Sequence, residues 1–336
     1  MPYRRAVRLG LVPGLVLVSL SFPSAANVQR KSDAAQARTA SSAKPAAEEG
    51  DAAGDERVVV SSDLISLRVT VTDKFGRSVS GLPRSAFTVF DEKRPQEISL
   101  FDEDDSPVSV GIVFDLTGSM NEGKMGRARE ALARFMETSH EEDEYFLVTL
   151  QGGGAALSLD GTRDHEAVVD TLTQLRGHGK TALYDACRLG LNRVLGGAHR
   201  RRALLLISDG RDNNSHYTFG ELRRALTESD VSIYSISVAE PSDDDGRSIR
   251  REDVLREMAE ATGGRFFQPR SSGEMYEAFE RIALELRRQY AIGYRPSDFA
   301  TDGKWHRLKV KIAPPPGAPR LFVRYRDGYY AQPSGR

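Results

Sequence analysis

Ile65, Leu67, Val69 and Val71 alternate with Ser66, Arg68, Thr70 and Thr72, the two-residue period of a strand with one face on a core. The stretch "DKFGR" that follows supplies a turn, and "AFTVFDE" and "EISLFDE" read as two further short strands. A similar texture returns near the other end, where Leu308, Val310 and Ile312 alternate with Arg307, Lys309 and Lys311, and Leu321, Val323 and Tyr325 repeat it. Neither piece alone buries both faces of a sheet. Residues 58–106 and 290–330 are therefore expected to meet in one small flanking β domain built from both chain ends.

The middle of the chain reads differently. The apolar runs "VSVGIVF", "YFLVTL", "ALLLIS" and "VSIYSISV" lack clean alternation, as strands covered on both faces do, and helical patterns separate them. "GKMGRAREALARFMETS", "DHEAVVDTLTQL" and "TALYDACRLGLNRVL" read as helices. "TFGELRRALTES" and "SSGEMYEAFERIALELRRQ" do too, each opening on a capping box, Thr218 with Glu221 and Ser271 with Glu274. The expected fold class is α/β, a doubly wound and mostly parallel sheet with the flanking β domain beside it.

Composition narrows the function classes. The chain has 336 residues, 39% hydrophobic and 28% charged, and 47 Lys and Arg against 48 Asp and Glu leave a formal charge of −1. No overall basic field recommends nucleic acid as a partner. At the start, Arg4, Arg5 and Arg8 precede an apolar run from Leu9 to Phe22, and Ser24-Ala25-Ala26 offers a cleavage site after Ala26. Residues 1–26 read as a signal peptide, with an uncleaved anchor as the alternative, and residues 27–57 as a disordered linker. The expected location is periplasmic or extracellular, with no membrane span in the mature chain. Cys187 is the single cysteine, so the core must hold the fold without an intrachain disulfide.

Candidate chemistry lies at strand ends, where ligands of such sheets bind. The run "VGIVFDLTGSM" stops at Asp115 and continues through Thr117 and Ser119; "ALLLIS" runs into Asp209 and Gly210; "RGHGKTALYDA" offers Thr181 where a helix begins. Two carboxylates and three hydroxyls are all hard oxygen donors, a set that suits Mg²⁺ or a similar cation. An Asp at a strand end followed by Thr and Ser also makes an ordinary helix N-cap.

The sequence Asp115-Leu116-Thr117-Gly118-Ser119, then Thr181, then Asp209-Gly210, resembles the metal-ion-dependent adhesion site of von Willebrand factor type A domains, whose first element is Asp-x-Ser-x-Ser. The resemblance covers about Pro107 to Gln289. The flanks are similar to the Acidobacterial-type von Willebrand factor A-related family of exported bacterial proteins. Thr117 stands where the pattern has its first serine, which keeps the hydroxyl and adds a methyl. The resemblance implies that Thr117, Ser119 and Thr181 offer hydroxyls, and that Asp115 and Asp209 bind directly or through water. The ion would be Mg²⁺, Mn²⁺ or Ca²⁺. It also implies non-catalytic binding of a protein or peptide that presents an acidic side chain.

Two other classes stay open. One is a structural or assembly module of the cell envelope with a degenerate metal site. The other is a Mg²⁺-dependent phosphohydrolase, which ordinarily carries a second aspartate two residues after the first, where Thr117 stands. "GHGKT" fails the phosphate-loop spacing at Gln174, and His140-Glu141 starts no HExxH pair. Asp212, Asn213 and Asn214 read as turn chemistry and His178 as a solvated loop histidine. Asp185 reads as a hydrogen-bonding group behind the site or a surface charge, and Glu122 as a solvated acid near a helix start.

Overall fold

The computed structural model describes residues 64–117, 122–239, 248–297, 303–314, 317 and 320–331. Residues 1–26 and 27–57, read above as a signal peptide and a linker, lie outside the described residues, as do Gly118 and Ser119. In chain order the first strands are β1 (Ile65–Thr72), β2 (Phe87–Asp91), β3 (Arg94–Gln96), β4 (Ile98–Asp104) and β5 (Val108–Asp115). Helix α1 (Glu122–Glu137), β6 (Glu144–Gln151), β7 (Gly154–Thr162), α2 (His165–Gln174), α3 (Leu183–Leu195) and β8 (Arg201–Ser208) follow. Then come α4 (Phe219–Glu228), β9 (Ser232–Ser237), α5 (Ser248–Ala261), β10 (Arg265–Phe267) and α6 (Ser272–Arg287). The chain closes with β11 (Gln289–Tyr294), β12 (Trp305–Ile312), β13 (Phe322–Arg324) and β14 (Gly328–Tyr330).

Six strands form the central sheet in the order β10-β9-β8-β5-β6-β7, parallel except for the antiparallel edge strand β7. Every residue of β5 is buried, which explains its unbroken apolar run. Its odd and even positions face different layers. Val110, Ile112 and Phe114 pack with Leu132 of α1, Leu172 of α2 and Phe279 of α6. Val113 packs with Cys187 of α3, Leu226 of α4 and Met258 of α5. Helix α3 lies unusually close to the sheet, because a Cβ on Gly111 or Gly190 would stand under 3.0 Å from Leu204 Cδ1. The mixed α/β architecture with a mostly parallel sheet is the one expected.

β13-β1-β11-β4 and β14-β12-β2-β3 form two antiparallel sheets that share one apolar core, including Leu67, Val69, Phe87, Val89, Ile292 and Val310. The alternation in β1 is less clean than its sequence implies: Thr70 and Thr72 are buried along with Leu67, Val69 and Val71. The second face of β1 is covered too, since Gln289 reaches both Thr70 Oγ1 (3.5 Å) and the Tyr234 hydroxyl of the central sheet (3.4 Å). Ion pairs join the layers. Asp104 takes Arg68 at 2.5 Å and Arg201 at 3.7 Å, and buried Glu285 takes Arg265 and Arg324 at 2.9 and 2.5 Å.

The helix starts follow from their caps. At α4 the Thr218 and Glu221 capping box is complete in both directions. At α6 only half forms: Ser271 accepts from Glu274 N–H, whereas Glu274 Oε2 accepts from Arg270 N–H instead of from the cap residue. Among the described residues no helix is long and apolar enough to cross a membrane.

Candidate metal centre

The strand order makes the site. From β5 the chain passes through α1 to β6 on one side, while β8 lies on the other side of β5. Connections leave in opposite directions there and open a crevice at the carboxyl ends of β5 and β8. Asp115 is the last residue of β5, and Asp209 follows the last residue of β8.

Both aspartates are shut away from water, as are Thr117 and Thr181, none more than 2% exposed. A carboxylate in such a place needs donors. Asp115 Oδ1 accepts from the Thr117 N–H at 2.9 Å and the Thr117 hydroxyl at 2.7 Å, a local turn that folds the chain back over the strand end. Oδ2 accepts from the Ser208 hydroxyl at 2.8 Å. The Thr181 hydroxyl in turn donates to Thr117 Oγ1 at 2.9 Å. Thr181, Thr117 and Asp115 are thus joined in one line of hydrogen bonds.

The loop that carries Thr181 is fixed from two sides. Its N–H donates to Asn213 Oδ1 at 3.0 Å, and its carbonyl accepts from the N–H groups of Asn213 and Asn214, each at 3.0 Å. Asp212 Oδ1 accepts from Leu183 N–H at 2.8 Å and so caps α3 from another loop, and it also holds Ser215 Oγ at 2.5 Å. Asp212, Asn213 and Asn214 therefore do more than shape their own turn; they set the position of Thr181. On the other side the loop presses against the β5 end so closely that a Cβ on Gly177 would stand 2.1 Å from Leu116 O. Gly179 has φ +90°, a left-handed conformation that favours glycine.

Asp209 is less well provided. Its Oδ1 accepts from Arg211 N–H at 3.0 Å, but its buried Oδ2 has no hydrogen bond, although Arg211 Nε stands 3.1 Å away. Burial pushes the Asp115 carboxyl above its usual range; the hydrogen bonds from Thr117 and Ser208 oppose this, and the charge of Asp209 adds to the rise. Two buried acids with neighbouring hydroxyls, one of the acids with an unsatisfied oxygen, make a set of hard oxygen donors that suits a hard cation. Among the described residues no group of three or more His, Cys, Asp or Glu converges as a metal site. A cation here would depend on the hydroxyls as much as on the carboxylates.

Of the five residues singled out in the sequence, Asp115, Thr117, Thr181 and Asp209 lie at this one edge, and Ser119 is outside the described residues. Ser208 belongs with them and was missed, although it directly precedes Asp209. His178 is exposed, and its carbonyl accepts from Gly152 N–H at 3.0 Å. Asp185 is occupied elsewhere: it accepts from the backbone N–H groups of His216 and Tyr217 and pairs with the His216 ring at 2.8 Å. Burial works against ionisation of that carboxyl, but these bonds prevail and hold it below the usual range.

Residues 110–211 match the family model described as the von Willebrand factor type A domain. The chain carries a von Willebrand factor type A domain. No curated relative matches the chain. Among solved structures, it is similar to the conserved hypothetical protein BatB from Bacteroides thetaiotaomicron, with 18% identity, 53% of this chain and 98% of that one covered, and a TM-score of 0.44. It is also similar to the vWF domain of the type V pili tip protein Mfa5 from Porphyromonas gingivalis, at 13% identity, 54% and 95% coverage, and a TM-score of 0.44. A von Willebrand factor type A protein from Catenulispora acidiphila matches over 80% of this chain and 75% of its own, at 15% identity and a TM-score of 0.46. Asp115, Thr117, Thr181 and Asp209 all fall inside the matched residues of the type A domain.

Proposed function

We propose that the type A domain holds a divalent cation at this edge, in the manner of a metal-ion-dependent adhesion site, and through it binds an acidic side chain of a partner protein or peptide. The observation that carries the reading is the line from Thr181 through Thr117 to Asp115, beside an Asp209 oxygen that is buried without a hydrogen bond. Asp115 and Asp209 supply the charge that holds the ion; Thr117, Thr181 and Ser119 supply neutral oxygens. When bound, Mg²⁺, Mn²⁺ or Ca²⁺ supplies an electrophilic position open to an external carboxylate. Phe114 and Leu116, the neighbours of Asp115 along the chain, are both fully buried, and charge interactions are stronger in such apolar surroundings than in water. Binding is non-catalytic on this reading, and the N-terminal stretch read as a signal peptide supports a location outside the cytoplasm.

Isothermal titration of Mg²⁺, Mn²⁺ and Ca²⁺ into the metal-stripped chain tests this, with Asp115→Ala and Asp209→Ala alongside. Heat from the parent that vanishes in both folded variants supports the site. A parent that binds none of the three ions, or variants that bind as the parent does, would remove it and favour a purely structural module.

A further inference from the structure

The amino ends of β8 and β9 meet the flanking strands around a second cavity, of about 240 Å³. It lies at the opposite end of the central sheet from Asp209. Arg202 and Asp209 are seven residues apart along β8, roughly 23 Å at the rise of an extended strand. Four arginines line the cavity: Arg68 from β1, Arg200 and Arg202 at the start of β8, and Arg326 just before β14. Asp230 is the only acidic side chain among the described lining residues.

The charges there do not balance. Arg68 is paired with Asp104 and Arg326 with Asp230. Among the described residues neither Arg200 nor Arg202 has an ion-pair partner. The Nε atoms of Arg202 and Arg326 are buried without a hydrogen bond. Guanidinium groups gathered round one cavity repel each other, and buried donors left unmade destabilise the fold. An anion inside removes both penalties. Guanidinium forks match the oxygens of a phosphoryl group, with two parallel N–H donors for each pair of acceptors. The volume falls below the range of about 300 Å³ and upward typical of drug-sized ligands, so the fitting anion is compact.

We propose that this cavity binds a compact phosphate-class oxyanion, either free phosphate or pyrophosphate or the phosphoryl group of a larger molecule. Arg68 and Arg326 belong to the flanking strands, Arg200 and Arg202 to the central sheet. A bound oxyanion therefore bridges the two layers, and the folded state gains stability from it by mass action.

The test is titration of sodium pyrophosphate and inorganic phosphate into the full-length chain at low salt, with thermal unfolding in parallel, for the parent and for the Arg200→Gln/Arg202→Gln double variant. That variant spares the Arg68 and Arg326 ion pairs. The expected result is binding by the parent that weakens with added salt, a raised Tm, and at least tenfold weaker binding by the variant. Should the double variant fold poorly, Arg200→Gln alone, at an exposed position, gives a partial loss. Co-sedimentation with phosphatidic acid vesicles, against phosphatidylcholine alone, separates a lipid headgroup from a free anion as the source. Pyrophosphate, phosphate and phosphatidic acid all failing to bind the parent would overturn the proposal. So would a folded double variant that binds like the parent, or binding of polyglutamate in place of every phosphate probe.

Discussion

Thr181 Oγ1 donates to Thr117 Oγ1 at 2.9 Å, and Thr117 passes its own proton toward Asp115 at 2.7 Å, so two loops distant in sequence share one ordered line of hydroxyls. The Thr117 side chain is therefore both acceptor and donor. Thr117→Val keeps the shape but strips both roles, leaving the buried Thr181 hydroxyl without its acceptor. A loss of about 1–3 kcal/mol is expected. Thr117→Ser gives up only a methyl, about 0.8 kcal/mol. Urea unfolding of the two variants decides: equal stabilities would mean that the hydroxyl line does not hold the site.

Gly177 permits the close approach of the Thr181 loop to the end of β5. In Gly177→Ala the new methyl meets the Leu116 carbonyl far inside contact distance, at 2.1 Å before relaxation, and backbone on both sides has to move. Overpacking of this kind is expected to destabilise by about 1–3 kcal/mol. It is also expected to weaken cation binding, because Thr181 moves with its loop. Calorimetric unfolding and Mg²⁺ titration on the same variant check both effects. Retained stability with retained binding would show that the loop has another resting position.

The fold was legible wherever burial follows a period or fills an unbroken run. Strands β5, β6, β8 and β9 stood out as unbroken apolar runs, and α1, α2, α3, α4 and α6 as amphipathic stretches. The elements left unread lack those signals. β7 is an edge strand whose side chains are mostly half-buried, and it is rich in Gly and Ala; β3 and β10 have three residues each. The charged stretch "SIRREDVLREMAEA" of α5 buries few apolar side chains, Leu255 and Met258 among them. At the site, Asp115, Thr117, Thr181 and Asp209 were readable from strand ends. What sequence could not give was the support from Ser208, Asp212 and Asn213. Those roles depend on which loops the strand order places side by side, and Asn213 lies 32 residues from Thr181.

Asp104 gives the protein an acid limit. Its carboxyl is held below the ordinary 3.8: partial burial opposes ionisation, but hydrogen bonds from Ser106 and the charges of Arg201 and Arg68 outweigh it. A carboxyl with a lowered folded value contributes stability that is complete above its unfolded value and is lost as pH falls through the folded one. The contribution should therefore be full at neutral pH and be lost progressively as pH falls below about 4, through the folded value. Asp104→Asn is expected to be less stable than the parent at pH 7 and to converge with it once the pH has fallen below the lowered folded value of Asp104. Parallel pH-dependent unfolding curves for the two proteins would contradict this account of the contact between β1, β4 and β8.

Arg211 stands where a bound cation and its own guanidinium compete for Asp209. Its Nε is 3.1 Å from Asp209 Oδ2, near enough to offset the charge but without a hydrogen bond, so the contact is weaker than a well-made ion pair. The Arg211 side chain is about one-third exposed, which gives it a route to solvent if the carboxylate is claimed. On the metal reading, Arg211→Ala removes the competitor. A contact of this grade is worth about 0.5–1 kcal/mol, so Mg²⁺ affinity is expected to rise roughly two- to fivefold while the metal-free protein loses stability. Were Arg211 instead needed to orient Asp209 through its backbone N–H alone, affinity would stay level, because alanine keeps that N–H. A fall in affinity would mean that the guanidinium aims the carboxylate at the ion, and Arg211→Lys would then restore part of it.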